Sequence, residues 1–291
     1  MPDPSALSPA TLAGHYDGAA QAGGESLMVR LAAAFRAAGH DPEHLGLDEI
    51  AGIDQLHLGG RRASRHLAAL GRLVPGERVL DVGCGTGGAS RLLAQEFGCE
   101  ALGVDITAAF IEVAEWLSRA TGLAESSRFL CADAARTPLA EATFDAVWCQ
   151  HALMNMPDVA AVLAEWRRLL KPGGRVLLHE VVSGDNPEPI ALPVPWASDP
   201  AASHLCSRAA FEARLAAAGF VSESLEDVTA TALAWRQKHS RREAAEELPA
   251  APALPGPALI FGERFAAMGR NLRDNLAADK VRILAGCWRL A

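Results

Sequence analysis

Basic runs, paired cysteines and long apolar stretches are all missing from this 291-residue chain. Lys and Arg number 27 against 35 Asp and Glu, a net charge of −8. Nucleic-acid binding depends on basic residues that displace counterions from phosphates, so no nucleic-acid partner is expected. The six cysteines (84, 99, 131, 149, 206 and 287) form no CxxC pair and fall mostly in apolar strands. Reduced, buried thiols are the expectation. His, Cys and acids are not clustered at ligand spacing, so no metal is expected. No apolar run reaches the ~20 residues of a membrane span. The opening MPDPSALSPA has neither the basic nor the apolar region of a secretion signal. A cytoplasmic address without a membrane partner follows as the expectation.

What is present is half hydrophobic, enough for one large core or a core with a cap. Residues 1–24 are rich in Ala, Gly, Pro and Ser, and helical periodicity then runs from Glu25 to Ala38. A loop through Asp54–Gly60 precedes a helix at about 61–73. Strands are predicted at about 77–82, 100–104, 127–131, 143–148 and 174–181, with helices at about 88–97, 107–122 and 158–170 between them. Apolar strands alternating with helices predict an α/β fold, doubly wound around a mostly parallel sheet. Five prolines mark 183–206 as a lid, followed by a helix near 207–218 and a strand near 220–227. The stretch from about 228 to 280 is too long for a plain loop and reads as a helical cap inserted before a last strand at 281–289. The chain thus divides into an arm with helices (1–60), a core (61–182) and a remainder carrying lid and cap (183–291).

The most informative stretch is Arg78–Ser90, RVLDVGCGTGGAS. An apolar strand feeds a glycine-crowded turn at a helix N-terminus, where bare N–H groups attract electron-rich ligands. Gly83, Gly85 and Gly88 satisfy a dinucleotide fingerprint, while Gly83, Gly85 and Gly87 satisfy GxGxG. Asp81 favours the second, since a carboxylate there repels a pyrophosphate but suits a ligand with an amino group and a sulfonium. Asp105 ends the next strand, where either cofactor class uses an acid on ribose hydroxyls.

The series is completed by Asp133-Ala134 after the third strand, Phe144–His151 through the fourth and Lys171-Pro-Gly-Gly174 as a turn before the fifth. This ordered set resembles the class I S-adenosylmethionine (SAM) methyltransferases over roughly 77–182. The resemblance implies a seven-stranded Rossmann-like sheet and SAM as methyl donor, with S-adenosylhomocysteine (SAH) as product. It implies that Asp81, Gly83 and Gly85 lie against the methionine part. Asp105 would take the ribose hydroxyls with Ile106 beside the adenine, Asp133 and Ala134 would receive the adenine edge, and Gln150 would floor the sulfonium.

Asp54–Gly60, His151–Asp158 and Leu192–Ala197 look like bacterial small-molecule methyltransferases of the glycine/sarcosine/dimethylglycine type. That likeness implies a small-molecule acceptor, with N-methylation ahead of O-, C- or S-methylation; a non-catalytic SAM- or SAH-binding module is the alternative. Transfer requires an in-line lone pair in a dry site, and a base where the acceptor is protonated. His151, at the crevice end of the fourth strand, is the candidate base, and Asn155 a candidate acceptor-binding residue. Gln55, His57 and Tyr16, the sole tyrosine, are candidate lid residues over the cofactor. Glu180 is expected in a salt bridge, Arg61 or Arg62 is available for an acceptor carboxylate, and Trp196 and Trp235 are expected mainly as core packing. Trp166-Arg167-Arg168 reads as a solvated helix face. Oligomeric state stays open, a homodimer included.

Overall fold

The computed structural model describes residues 24–245 and 253–291, with side chains of 241–245 left out, so Tyr16 lies outside the described residues. Ten helices are described: α1 (Leu27–Ala37), α2 (Leu47–Asp54), α3 (Gly60–Leu70), α4 (Gly88–Phe97), α5 (Ala108–Ala120), α6 (Val159–Leu169), α7 (Arg208–Ala217), α8 (Thr229–Ala245), α9 (Ala258–Phe261) and α10 (Phe265–Ala277). Seven strands form one sheet: β1 (Arg78–Val82), β2 (Glu100–Asp105), β3 (Ser127–Cys131), β4 (Phe144–Gln150), β5 (Leu170–Ser183), β6 (Phe220–Asp227) and β7 (Val281–Leu290).

The sheet order is β3-β2-β1-β4-β5-β7-β6. The first five strands pair in parallel, and β7 runs antiparallel to both β5 and β6. This is the doubly wound, mostly parallel sheet that the alternating pattern predicts. Because β1 lies between β2 and β4, the chain winds outward in opposite directions from it, and a crevice opens at the carboxyl ends of those strands.

Both faces of the sheet are covered, which is why its strands are apolar throughout. Leu80, Val147, Leu178 and Trp288 pack toward α6 and α7, while Val79, Ala146, Trp148 and Leu177 pack toward α3 and α4. Trp166 is fully buried in the first of these layers. The expected solvated face on α6 is therefore corrected: only the arginines leave the core, with Arg168 on Glu165 at 2.7 Å. Helix α2 falls between the first helix and the Asp54–Gly60 loop, in a stretch given no element from the sequence. The Lys171-Pro-Gly-Gly run is also part of β5, with a register shift against β4 between Phe144 and Ala146, rather than a separate turn. Among the described residues, no helix is long and apolar enough to cross a membrane.

Candidate active site

The crevice holds a cavity of about 920 Å³. Its lining includes Asp81, Gly83, Gly85, Asp105, Ile106, Asp133, Ala134, Gln150, His151, Asn155, Gln55 and His57, so every described candidate residue meets at one place.

The glycine turn forms the floor of one end. Gly83 has φ +72°, in the left-handed region, and a Cβ added there would stand 2.4 Å from the Ala152 Cβ. Only glycine allows that backbone beside the β4 turn. The Asp105 carboxylate braces the same turn, accepting from Gly85 N at 2.9 Å with one oxygen and from Thr107 N at 2.9 Å with the other. Asp81 accepts the Ser90 hydroxyl at 2.6 Å, and burial pushes its carboxyl up to about 6. A cationic ligand group beside it would hold the proton off.

Helix α2 closes the front. Thr86 Oγ1 donates to the Ile53 carbonyl at 2.7 Å, and fully buried Arg91 faces Asp54 at 3.6 Å. Burial raises the Asp54 carboxyl, with Arg91 opposing. Beyond Asp54, both side-chain polar atoms of Gln55 are buried without a partner. Together with Gln150 Nε2 and His151 Nε2, also buried and unpartnered, they are orphaned polar atoms on the wall of the cavity. An unpaired buried polar group is costly, so these atoms fit a polar ligand such as SAM rather than an empty apolar hole.

His151 sits at φ +52°, a left-handed backbone that costs a non-glycine residue roughly 1–2 kcal/mol. Its ring stacks on His179 with centroids 5.0 Å apart, and His57 lies 6.1 Å from each. Burial, then the neighbouring imidazoles, hold His151 well below its ordinary range. Burial likewise brings His57 to about 4 and His179 to about 3. All three are therefore neutral near pH 7, and a neutral imidazole offers a lone pair as well as an N–H. His179 was not singled out in the sequence; it lies mid-strand in β5, and only its pairing opposite Gln150 places it.

Glu180 makes no salt bridge, which corrects the sequence expectation. Its Oε1 accepts from the Cys149 thiol at 3.1 Å and from Ala152 N and Leu153 N at 3.2 and 3.3 Å. It thereby ties down the turn that carries His151. Burial pushes Glu180 up to about 7. A carboxyl that ionises near 4.5 unfolded and near 7 folded contributes stability below pH 4.5 that disappears as pH rises through 7, about 3 kcal/mol in all. Glu180→Gln should therefore be more stable than the wild type at pH 8 and not at pH 4.5, as thermal melts at the two pH values would read. Equal melting shifts at both would refute it.

Asn155 is buried with its Nδ2 donating to the Trp196 carbonyl at 2.7 Å, so it fastens the proline-rich lid. The lining also includes Trp196 and Pro195 from that lid and Trp235, Phe261, Phe265 and Leu272 from α8, α9 and α10. Trp196 and Trp235 thus face the cavity as well as packing. Arg61 also reaches the wall, but its guanidinium is held by Asp48 at 2.6 Å and by the Leu47 carbonyl.

Residues 80–178 match the family described as Methyltransferase domain. Methyltransferase GfsG of Streptomyces halstedii is 33% identical over 161 residues, 55% of this chain and 58% of that one. Other relatives are named for O- and for N-methylation. The chain spans less than two thirds of the length of these curated relatives. Among solved structures, the [4+2]-cyclase SpnF aligns over 98% of this chain and 97% of its own, with a TM-score of 0.68 at 23% identity. Geranyl diphosphate C-methyltransferase from Streptomyces coelicolor A3(2) aligns over 98% and 100%, with a TM-score of 0.66 at 19% identity. These likenesses at low identity establish the fold. The glycine turn, the braced acids and the family match fall in register on one crevice: residues 80–178 match a methyltransferase domain, on a sheet of the Rossmann-like methyltransferase fold.

Proposed function

We propose that this protein transfers a methyl group from SAM to a bulky, mostly apolar small molecule. The observation that carries this reading is the cavity: about 920 Å³, whose lining joins a glycine turn and acids to aromatic side chains from lid and cap. Pockets for drug-sized ligands span roughly 300–1,000 Å³, and this one lies near the upper end of that range. Apolar walls of this kind bind by area removed from water, which a two-carbon amino acid does not possess.

SAM, when bound, supplies an electrophilic methyl carbon. Asp81 and Gln55 would hold its amino-acid end and Asp105 its ribose, with Asp133 and Ala134 at the adenine edge. The lid and cap exclude water from the acceptor, and His151 stands neutral with a lone pair for an acceptor proton. The finer expectation of a glycine-type amine requires a cation for the acceptor's carboxylate; the lining holds Arg61, which pairs with Asp48, and Arg236 of α8. Relatives whose names carry a phytyl-hydroquinone or geranyl diphosphate acceptor support the apolar reading instead. A cyclase shares the fold over nearly the whole chain, so the fold alone does not assign turnover.

SAH release should be measured against alkylphenols, prenylated hydroquinones, long-chain alcohols and long-chain amines, with glycine and sarcosine alongside. Turnover is expected with at least one apolar acceptor and with neither amino acid. Turnover of sarcosine would overturn the acceptor class, and tight SAH binding with no turnover of any apolar acceptor would leave a binding module in place of an enzyme.

A further inference from the structure

Helix α9 is attached to the rest of the protein by packing alone. Its backbone hydrogen bonds close within the segment: Leu259 N donates to the Gly256 carbonyl, Ile260 N and Phe261 N to that of Pro257, Gly262 N to that of Ala258 and Phe265 N to that of Gly262. Among the described residues, no hydrogen bond or ion pair ties 255–262 to another element. What holds the helix is Ile260, 3% exposed, whose side chain enters the apolar cluster of Leu31, Phe35, Ile50 and Ile53 from α1 and α2. The Pro255 carbonyl oxygen also rests on Gly52 of α2, where an added Cβ would stand 2.7 Å from it. Pro257 and Phe261 line the cavity on one side of this seam, and Gly52, Asp54 and Gln55 of the α2 stretch line it on the other.

Glycine stands at both ends of α9. Gly262 has φ +72° and ψ −165°, a conformation nearly confined to glycine. A Cβ at Gly256 or at Gly262 would meet nothing within 4 Å, so both ends turn in open space. The proline-rich lid is built the opposite way. Asn275, 1% exposed, accepts from Ala191 N at 2.8 Å and donates to the Ala191 carbonyl at 2.9 Å. Asn271 donates to the Pro193 carbonyl at 2.9 Å, and Asn155 holds that of Trp196. Lifting the lid would strand buried amides, whereas swinging α9 breaks no hydrogen bond.

We infer that α9 is the gate of the cavity, a flap hinged at Gly256 and Gly262 and latched by Ile260, and that SAM enters and SAH leaves past it while the proline-rich lid stays shut. Helix α2 is bolted to the core through Thr86 on the Ile53 carbonyl and Arg91 beside Asp54, so α9 is the side of the seam that moves. Ile260 is not part of the cavity lining and acts on the ligand only through the flap, as a positioning residue.

This inference rests on the cavity being a SAM site and is independent of the acceptor. Loosening the latch of a gate speeds entry and exit together, while losing a ligand contact speeds exit alone. Stopped-flow mixing of the full chain with SAH would give both rates through tryptophan fluorescence, since Trp196 and Trp235 line the cavity, with dissociation started by excess SAM. Ile260→Ala should raise both rates at least fivefold and keep their ratio, the Kd, within threefold of the wild type. Gly52→Ala favours α2 as a helix but drives a Cβ against the Pro255 carbonyl, so it should wedge the flap with the same joint rise; it decides the matter if the Ile260 variant fails to fold. Asn271→Ala, which takes one bond from the lid, should leave both rates within twofold. Faster dissociation with unchanged association, unchanged rates in both seam variants, or a joint rise in Asn271→Ala equal to that of Ile260→Ala would each overturn the gate. Failure of the wild type to bind SAH would overturn the methyltransferase reading along with it.

Discussion

Gly88→Ala should cost at least a hundredfold in SAH affinity and several kcal/mol in stability. A Cβ at Gly88 would stand 1.8 Å from the Asp54 carbonyl oxygen and 2.5 Å from its carbon. Backbone cannot rotate aside as a side-chain tip can, so α2 must withdraw by roughly 1.5 Å to reach a normal carbon–oxygen contact. Withdrawal breaks the Thr86 bond to the Ile53 carbonyl and separates Asp54 from Arg91, which is 0% exposed. Removing the partner of a buried charge costs about 3–5 kcal/mol, beyond the about 1–3 kcal/mol of overpacking. Gln55 moves with α2, so the orphaned amide leaves the cavity wall. Calorimetry with SAH and a thermal melt would measure both losses. An affinity within threefold of wild type with an unchanged melting temperature would show that the α2 contact does not shape the cofactor end.

Acid should unfold this protein through its buried histidines. His179 is 3% exposed and ionises at about 3 in the fold against 6.5 ordinarily, because burial opposes its charge. The native state therefore binds fewer protons than the unfolded chain below pH 6.5. Stability present above that pH is lost as pH falls toward 3, about 5 kcal/mol from this residue alone. His57 and His151 act in the same direction. Four buried acids, Asp54, Asp81, Asp105 and Glu180, oppose them. Asp81 and Glu180, raised to about 6 and about 7, gain stability as pH falls and are exhausted once the unfolded carboxyls protonate near 4. The acids offset the histidines until they are exhausted, so the net loss is expected below about pH 4, where the histidines alone are left to titrate. His179→Phe keeps the ring on His151 and removes the titration, so it should flatten the acid limb of melting temperature against pH. An acid limb as steep as that of the wild type would refute this assignment.

The sheet and the cofactor end were legible because their signals are local. A strand, a glycine turn and a helix start within thirteen residues, and each later acid closes a strand of its own. Long-range contacts left no such trace. Ser64 meets Gln150 across 86 positions, and nothing in the sequence marks either as the other's partner. Trp166 lies beside two arginines, so its neighbours made a buried side chain look solvated. Glu180 was expected to find a cation because acids usually do; instead it found two backbone N–H groups on the turn after β4. The short helix α2 went unassigned because eight residues with a glycine inside them give little periodicity to read.

Strand β7 follows every other strand in the chain, yet it sits between β5 and β6. β6 pairs with β7 alone, so during synthesis it has nothing to hydrogen-bond until the residues beyond 281 have left the ribosome. The helices of the cap emerge before that strand and after β6. The nascent chain therefore exposes an open sheet edge at β5 while it makes the helices that line the cavity, and β7 then closes that edge.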